Sequence, residues 1–148
     1  MNAIFETRRV KVGETTEHYG TKKISSSQEA IKTVKTVLGG YFDSLDCEEF
    51  HVIALDTKNK IVGTFRITRG TLDASLVHPR EVFKPAILLS ASSILLVHNH
   101  PSGDPTPSRE DIAVTDRLTE SGKILGIDVL DHIVYGDGDS AISIAENR

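Results

Sequence analysis

The residues best placed to do chemistry lie in one stretch, His98-Asn99-His100-Pro101-Ser102-Gly103-Asp104-Pro105-Thr106-Pro107-Ser108-Arg109-Glu110-Asp111. It follows Ile94 to Val97, a short apolar run that suits a central strand covered on both faces. Side chains alternate along an extended chain, so His98 and His100 leave the strand end pointing the same way, with Cα atoms about 6 to 7 Å apart. Two imidazoles can then converge on one ion. Asp111 stands three positions into the next helix, and a loop stiffened by Pro101, Pro105 and Pro107 can fold that helix start back over the strand end. Two histidines and one carboxylate leave a fourth tetrahedral position to water, the arrangement of a catalytic rather than a structural zinc. Taken alone, the His pair also suits two polar loop residues, and Asp111 also suits the third-residue partner of a helix cap at Ser108.

The elements that must hold these residues follow from pattern. Ser25-Ser26-Ser27 with Gln28 and Glu29 signals a helix start, Ile31, Val34, Val37 and Leu38 fall at helical spacing, and Gly39-Gly40 stops the helix. Glu49 to Leu55 and Ile61 to Thr68 read as two strands joined by a polar connection of hairpin length. Pro79 to Leu89 reads as a helix opened by proline, with Pro85 expected to kink it or delay its start. Ser108 caps a third helix with Ile112, Thr115, Leu118 and Leu125 on one face and Gly126 beyond its end. Val129 to Tyr135 is a further strand, followed by a turn at residues 136 to 139 and a short element near Ala141 to Ile144. Residues 1 to 24 form a lead-in with one marginal edge strand, suggested by Val10, Val12 and Ile24. This order predicts an α/β domain, a mixed sheet with helices on its faces, over residues 25 to 148.

Composition narrows the chemistry further. A chain of 148 residues with 39% hydrophobic side chains buries a core without help from a disulfide or structural metal. Its single cysteine, Cys47, excludes an internal disulfide and the zinc sites built from paired thiolates, which removes zinc fingers and zinc deaminases. No run reaches the roughly 18 apolar residues of a membrane span, and the opening nine residues lack the apolar core of a secretory signal. The expected location is the cytoplasm. The net charge of −4 does not favour nucleic acid, although the charge is uneven, with 7 basic and 4 acidic side chains in residues 1 to 40.

His-x-His, seven residues, Ser, two residues, Asp is the JAMM motif, and the chain resembles the JAB/MPN metalloprotease family that carries it. It is most similar to the RadC-like branch, on His-Asn-His-Pro-Ser-Gly-Asp-Pro-Thr-Pro-Ser at 98 to 108, Val-His-Pro-Arg-Glu-Val-Phe at 77 to 83 and Leu-Asp-His-Ile-Val at 130 to 134. The resemblance implies the JAB/MPN, cytidine-deaminase-like architecture and one zinc held by His98, His100 and Asp111. It also implies that Glu48 takes the proton of the attacking water and that Ser108 donates to the developing oxyanion. From the residues alone, Glu48 equally suits a solvated strand-start carboxylate and Ser108 a plain helix cap. Glu48 shares a strand face with Phe50, Val52 and Ala54, and Glu49 the other with His51, Ile53 and Leu55, so pattern leaves the choice of base nearly even, with the first face the better candidate for burial; the resemblance selects Glu48.

The expectation is a zinc-dependent peptidase or isopeptidase acting on a protein or peptide. One competing reading is a DNA-repair-associated accessory protein without peptidase activity, the family's traditional label. Longer members carry an N-terminal helix-hairpin-helix region, and about 24 residues before the first helix are too few for one. The other is a metal-dependent phosphodiesterase, disfavoured without a second carboxylate cluster. His132 reads as an orienting partner of a ligand or as a satisfied buried histidine. His18, His51 and His78 lack ligand spacing, and Cys47 has no His or cationic partner close in sequence. Ser102 and Asp104 fit a tight turn.

Overall fold

In the computed structural model, which describes residues 24–72 and 76–148, the first helix starts as its serines require. Ser26, extended at φ −150° and ψ 161°, accepts the Glu29 N–H and opens α1 (Ser27–Val34). The helix does not stop at Gly39-Gly40. It passes through a π-helical turn, Lys35–Gly39, into α2 (Gly40–Asp43), with both glycines in ordinary right-handed geometry. Gly39 answers a packing need: a Cβ there would meet the Tyr135 hydroxyl at 3.2 Å. The wider turn carries the apolar face on, so Ala30, Val34, Leu38 and Phe42 are all buried. The edge strand expected near Val10 and Val12 lies outside the described residues; Ile24 is buried and bonded through its N–H to Asn59 O.

Five strands follow in a mixed sheet ordered β2-β1-β3-β4-β5. β1 (Glu49–Leu55) pairs antiparallel with β2 (Ile61–Arg69) and with β3 (Ser93–Asn99), β3 runs parallel to β4 (Asp128–Tyr135), and β5 (Ala141–Ser143) closes the far edge antiparallel. Between β2 and β3 lies α3 (Pro79–Leu88), which starts at Pro79 and contains Pro85, so the proline does not delay its start. α4 (Arg109–Leu125) is the crossover from β3 to β4 and ends at Gly126, left-handed at φ 72°.

Side-chain alternation on the two central strands sorts the core. Phe50, Val52, Ala54, Ile94 and Leu96 pack against Val82, Phe83 and Ala86 of α3 and Val114 and Leu118 of α4. Ile53, Leu55, Leu95 and Val97 pack on the opposite side against Ala30, Val34, Leu38 and Phe42. Every residue of β1 and β3 is therefore buried, and burial does not distinguish the face of Glu48 from that of Glu49. The buried stripe of α4 is Asp111, Val114, Thr115, Leu118 and Gly122, so Thr115 and Leu118 lie on it as expected, while Ile112 is only half-buried and Leu125 is 48% exposed.

Gly122 sets how closely α4 approaches the chain entering β4. An added Cβ would lie 2.3 Å from Ile127 O, a backbone atom that cannot turn aside. Gly122→Ala is expected to cost about 1–3 kcal/mol or more through this overpacking, read as a lowered urea midpoint with unchanged slope.

Candidate metal centre

β3 and α4 bring the sequence-predicted ligands together. His98 is the next-to-last residue of β3, and His100, just past the strand, donates its N–H to Tyr135 O at 2.8 Å, so the backbone beyond the strand is still tied to β4. Ser108 then caps α4. Its hydroxyl accepts the Asp111 N–H at 3.1 Å, while its own N–H donates to Asp111 Oδ2 at 2.6 Å, a complete capping box. The cap holds the aspartate carboxyl and leaves Oδ1 directed at His98 Nε2, 3.0 Å away. His100 Nε2 lies 3.4 Å from Oδ2 and 2.9 Å from His98 Nε2. Asp111 is thus both cap partner and member of the cluster.

Three ligand atoms, all within 4.8 Å of one another, make a group able to hold a metal ion. Tetrahedral zinc bonded at about 2.0–2.1 Å sets donor atoms about 3.3 Å apart, close to the 2.9 Å between the two ring nitrogens and the 3.0 Å from His98 Nε2 to Asp111 Oδ1. The burial suits a cation as well. His98 and Asp111 are each 1% exposed. Burial raises the Asp111 pKa, but hydrogen bonds from His100 and His98 outweigh it and hold the carboxyl well below the usual range. The bond to Asp111 likewise raises His100 against the opposing effect of its burial. Two ring nitrogens and a carboxylate oxygen this close need a proton or a cation between them.

The far ring nitrogens fix which atoms would face an ion once it took the place of the Nε2 hydrogen bonds to Asp111. His100 Nδ1 donates to Asp104 O at 2.8 Å, leaving the Nε2 lone pair inward. For His98 the assignment runs through three groups. The Thr115 hydroxyl donates to Asp111 O at 2.7 Å, so its oxygen accepts from His132 Nδ1 at 2.6 Å. His132 Nε2 is then an acceptor and takes the proton of His98 Nδ1 at 2.9 Å, which turns the His98 Nε2 lone pair inward. His132 is 0% exposed, and burial pushes its pKa well down, in keeping with a neutral ring. His132 is a satisfied buried histidine, and its partner His98 belongs to the group able to hold a metal.

The cluster opens on a cleft of about 670 Å³ lined by Glu48, Thr71, Leu72, His100, Pro101, Ser102, Ser108, Glu110 and Asp111. Glu48 Oε2 accepts the Leu72 N–H at 2.8 Å. Glu49, on the opposite face, accepts from Tyr41 Oη at 2.9 Å and lies 2.8 Å from His51 Nε2, with Arg66 and Arg69 at 3.5 and 3.6 Å. Burial raises its pKa, but the His51 and Tyr41 bonds and the His51 and Arg66 charges bring it below the ordinary value. The loop carrying His100 is propped by the β4–β5 turn. A Cβ on Gly136 would stand 2.2 Å from Gly103 O, and Ser140 Oγ donates to that same carbonyl at 3.1 Å.

Sequence reasoning missed Asn99, Thr115 as a polar partner, and the Thr71-Leu72 wall. For Asn99 a signal existed: alternation puts it on the reverse face of the strand end, where a short amide can reach backbone. Cys47 has no cationic partner close in sequence, but Arg69 of β2 is near enough for the two groups to interact electrostatically.

A mixed five-stranded α/β sheet with a two-histidine, one-carboxylate group over a cleft defines a JAB/MPN domain, a class that includes metallohydrolases. A family model described as "RadC-like JAB domain" matches residues 24–148, and the chain belongs to that family. Similar proteins include a UPF0758 protein of Caldanaerobacter subterraneus subsp. tengcongensis, 63% identical over 69% of this chain and 43% of its own length. A UPF0758 protein of Methanosarcina mazei is 50% identical over 92% of the chain and 57% of its own length. One of Moorella thermoacetica is 53% identical over 76% of the chain and 50% of its own length. The chain spans about half the length of these relatives. Among the described residues no helix is long and apolar enough to cross a membrane.

His132→Ala should weaken divalent-metal affinity about 10- to 100-fold in a competition titration with a chromophoric chelator. Unchanged affinity would show that the β3 backbone alone orients His98.

Proposed function

We propose that the domain is a zinc-dependent peptidase or isopeptidase that hydrolyses an amide bond in a protein or peptide, acting in the cytoplasm, with residues 25 to 148 as the working unit. The observation that supports it best is the convergence of the His98 and His100 rings and the Asp111 carboxylate beneath a cleft whose walls carry Glu48 and Ser108. Two imidazoles and one carboxylate suit zinc better than magnesium, which takes oxygen ligands in an octahedron. A bound zinc supplies a Lewis acid and acidifies water at its open position.

The remaining steps belong to the chain. The Glu48 carboxylate takes the proton of the attacking water and returns it to the leaving amine nitrogen. Its Leu72 bond engages one oxygen and keeps the carboxylate at the cleft wall. The Ser108 oxygen already accepts from Asp111 N, so its hydroxyl hydrogen is the group able to donate to the oxyanion formed from the scissile carbonyl. Glu49 is ill suited to be the base, because its oxygens are bonded on the other face of β1.

The purified protein should carry about one equivalent of zinc, lost in His98→Ala and in His100→Ala. Glu48→Gln should keep zinc and fold and lower peptide hydrolysis about 10²- to 10⁴-fold, while Glu49→Gln, per folded molecule, stays within a few-fold of wild type. The checks are metal analysis and a quenched-fluorescence peptide library. Hydrolysis that survives Glu48→Gln at full rate would remove the assigned base, and tight duplex-DNA binding at physiological salt would favour the accessory-protein reading.

Chelation should abolish hydrolysis while lowering the melting temperature only moderately, because two apolar clusters hold the sheet without the ion. Cooperative unfolding on chelation, followed by circular dichroism, would mean instead that the metal is structural.

A further inference from the structure

We propose that Asn99 is a positioning residue for Glu48, its side-chain amide gripping the peptide groups on both sides of that glutamate. The inference rests on the reading of Glu48 as the base and adds what holds that base in place.

The paired register of β1 with β3 runs from Leu55 opposite Ser93 to Phe50 opposite His98 and ends there. Glu48 lies just past that end. On this side the chain is held by a side chain: Asn99 Oδ1 accepts the Glu49 N–H at 2.7 Å, and Asn99 Nδ2 donates to Cys47 O at 2.9 Å. The two partners flank Glu48 in sequence. A reversed amide would set donor against donor and acceptor against acceptor, so the partners fix its orientation. Asn99 is 2% exposed, and its bond from the Glu49 N–H is buried away from competing water.

On the β2 side, Gly70 N–H donates to Glu48 O and Leu72 N–H to Glu48 Oε2, each at 2.8 Å. Glu48 is thus pinned from both neighbours. The clamp also sits between the two histidine ligands. The end of β3 and the residue after it present His98 and His100 to one face and Asn99 to the reverse face, so the spacing between the candidate ligands and the base is set within three consecutive residues. Chemistry is steep in that spacing, and a displacement of about 1 Å costs on the order of 100-fold in rate.

The test uses the full chain carrying Asn99→Ala, with Asn99→Ser as a second variant in case alanine does not fold; serine keeps a hydroxyl too short to reach both peptide groups. Amide hydrogen exchange by NMR should show the Glu49 N–H exchanging about tenfold or more faster, while Ile53 and Leu95 in the sheet centre stay protected. Zinc affinity should stay within a few-fold. With Co²⁺ as the bound probe, the paramagnetic shifts of the Glu48 side chain should move while those of Asp111 hold. On a quenched-fluorescence peptide library, kcat should fall about 10- to 100-fold, and Asn99→Ala added to Glu48→Gln should cost nothing further, because both act on one group. Fully multiplicative losses in the double variant would overturn the proposal, as would unchanged Glu49 exchange or unmoved Glu48 shifts. A wild-type protein that cleaves no peptide would sink the peptidase reading alone; the clamp would then be decided by the exchange and Co²⁺ data.

Discussion

Three electron-rich atoms meeting in a buried space are the constraint around which the structure is arranged. His98 Nε2 stands 2.9 Å from His100 Nε2 and 3.0 Å from Asp111 Oδ1, and two of the three residues are almost without solvent. Such a meeting is costly unless positive charge lies between the atoms. The fold supplies three holds against the strain: strand pairing through His98, the His100 N–H bond to Tyr135 O, and the capping box that fastens the Asp111 carboxyl to the start of α4. The cap satisfies a helix terminus and aims a candidate ligand with the same side chain, which is why a seventeen-residue helix can carry a buried carboxylate in its first turn.

Much of this was legible because it is local. β1 was read with its observed bounds, the Ser26 and Ser108 caps and the Gly126 stop follow from short-range bonds, and the His-x-His pair needs only strand alternation. The errors arise where a distant residue overrides a local rule. Gly39 and Gly40 look like a stop, yet Gly39 is there so that Tyr135, nearly a hundred residues on, can lie against the helix. Leu125 fits the helical period of α4 but falls past the point where Gly122 brings the helix down onto Ile127.

Polar partners were less legible for the same reason. The chain from His98 through His132 to Thr115 and back to Asp111 O joins β3, β4 and α4, and no single segment carries its pattern. Thr115 was placed on the correct helix face, but only as an apolar-face residue. Cys47 lacked a cationic neighbour in sequence and has one in space, Arg69. Parallel pairing of β3 with β4 through a helical crossover is what makes such partners distant in sequence and adjacent in the fold.

The adjacent glutamates show how environment, more than residue type, divides labour. Both faces of β1 are covered, so burial of the strand cannot choose between them. What separates them is the donors each face offers. Glu49 sits among Tyr41, His51, Arg66 and Arg69, and its carboxyl is held below its ordinary pKa by bonds and charges that outweigh burial. A carboxylate so engaged would lose several charge-assisted contacts on accepting a proton, which makes it a poor shuttle and a good structural anchor. Glu48, one residue earlier, lines the cleft and is half-buried. A general base needs a lone pair that meets the proton it moves, and between these two residues only Glu48 has the cleft on its side of the strand.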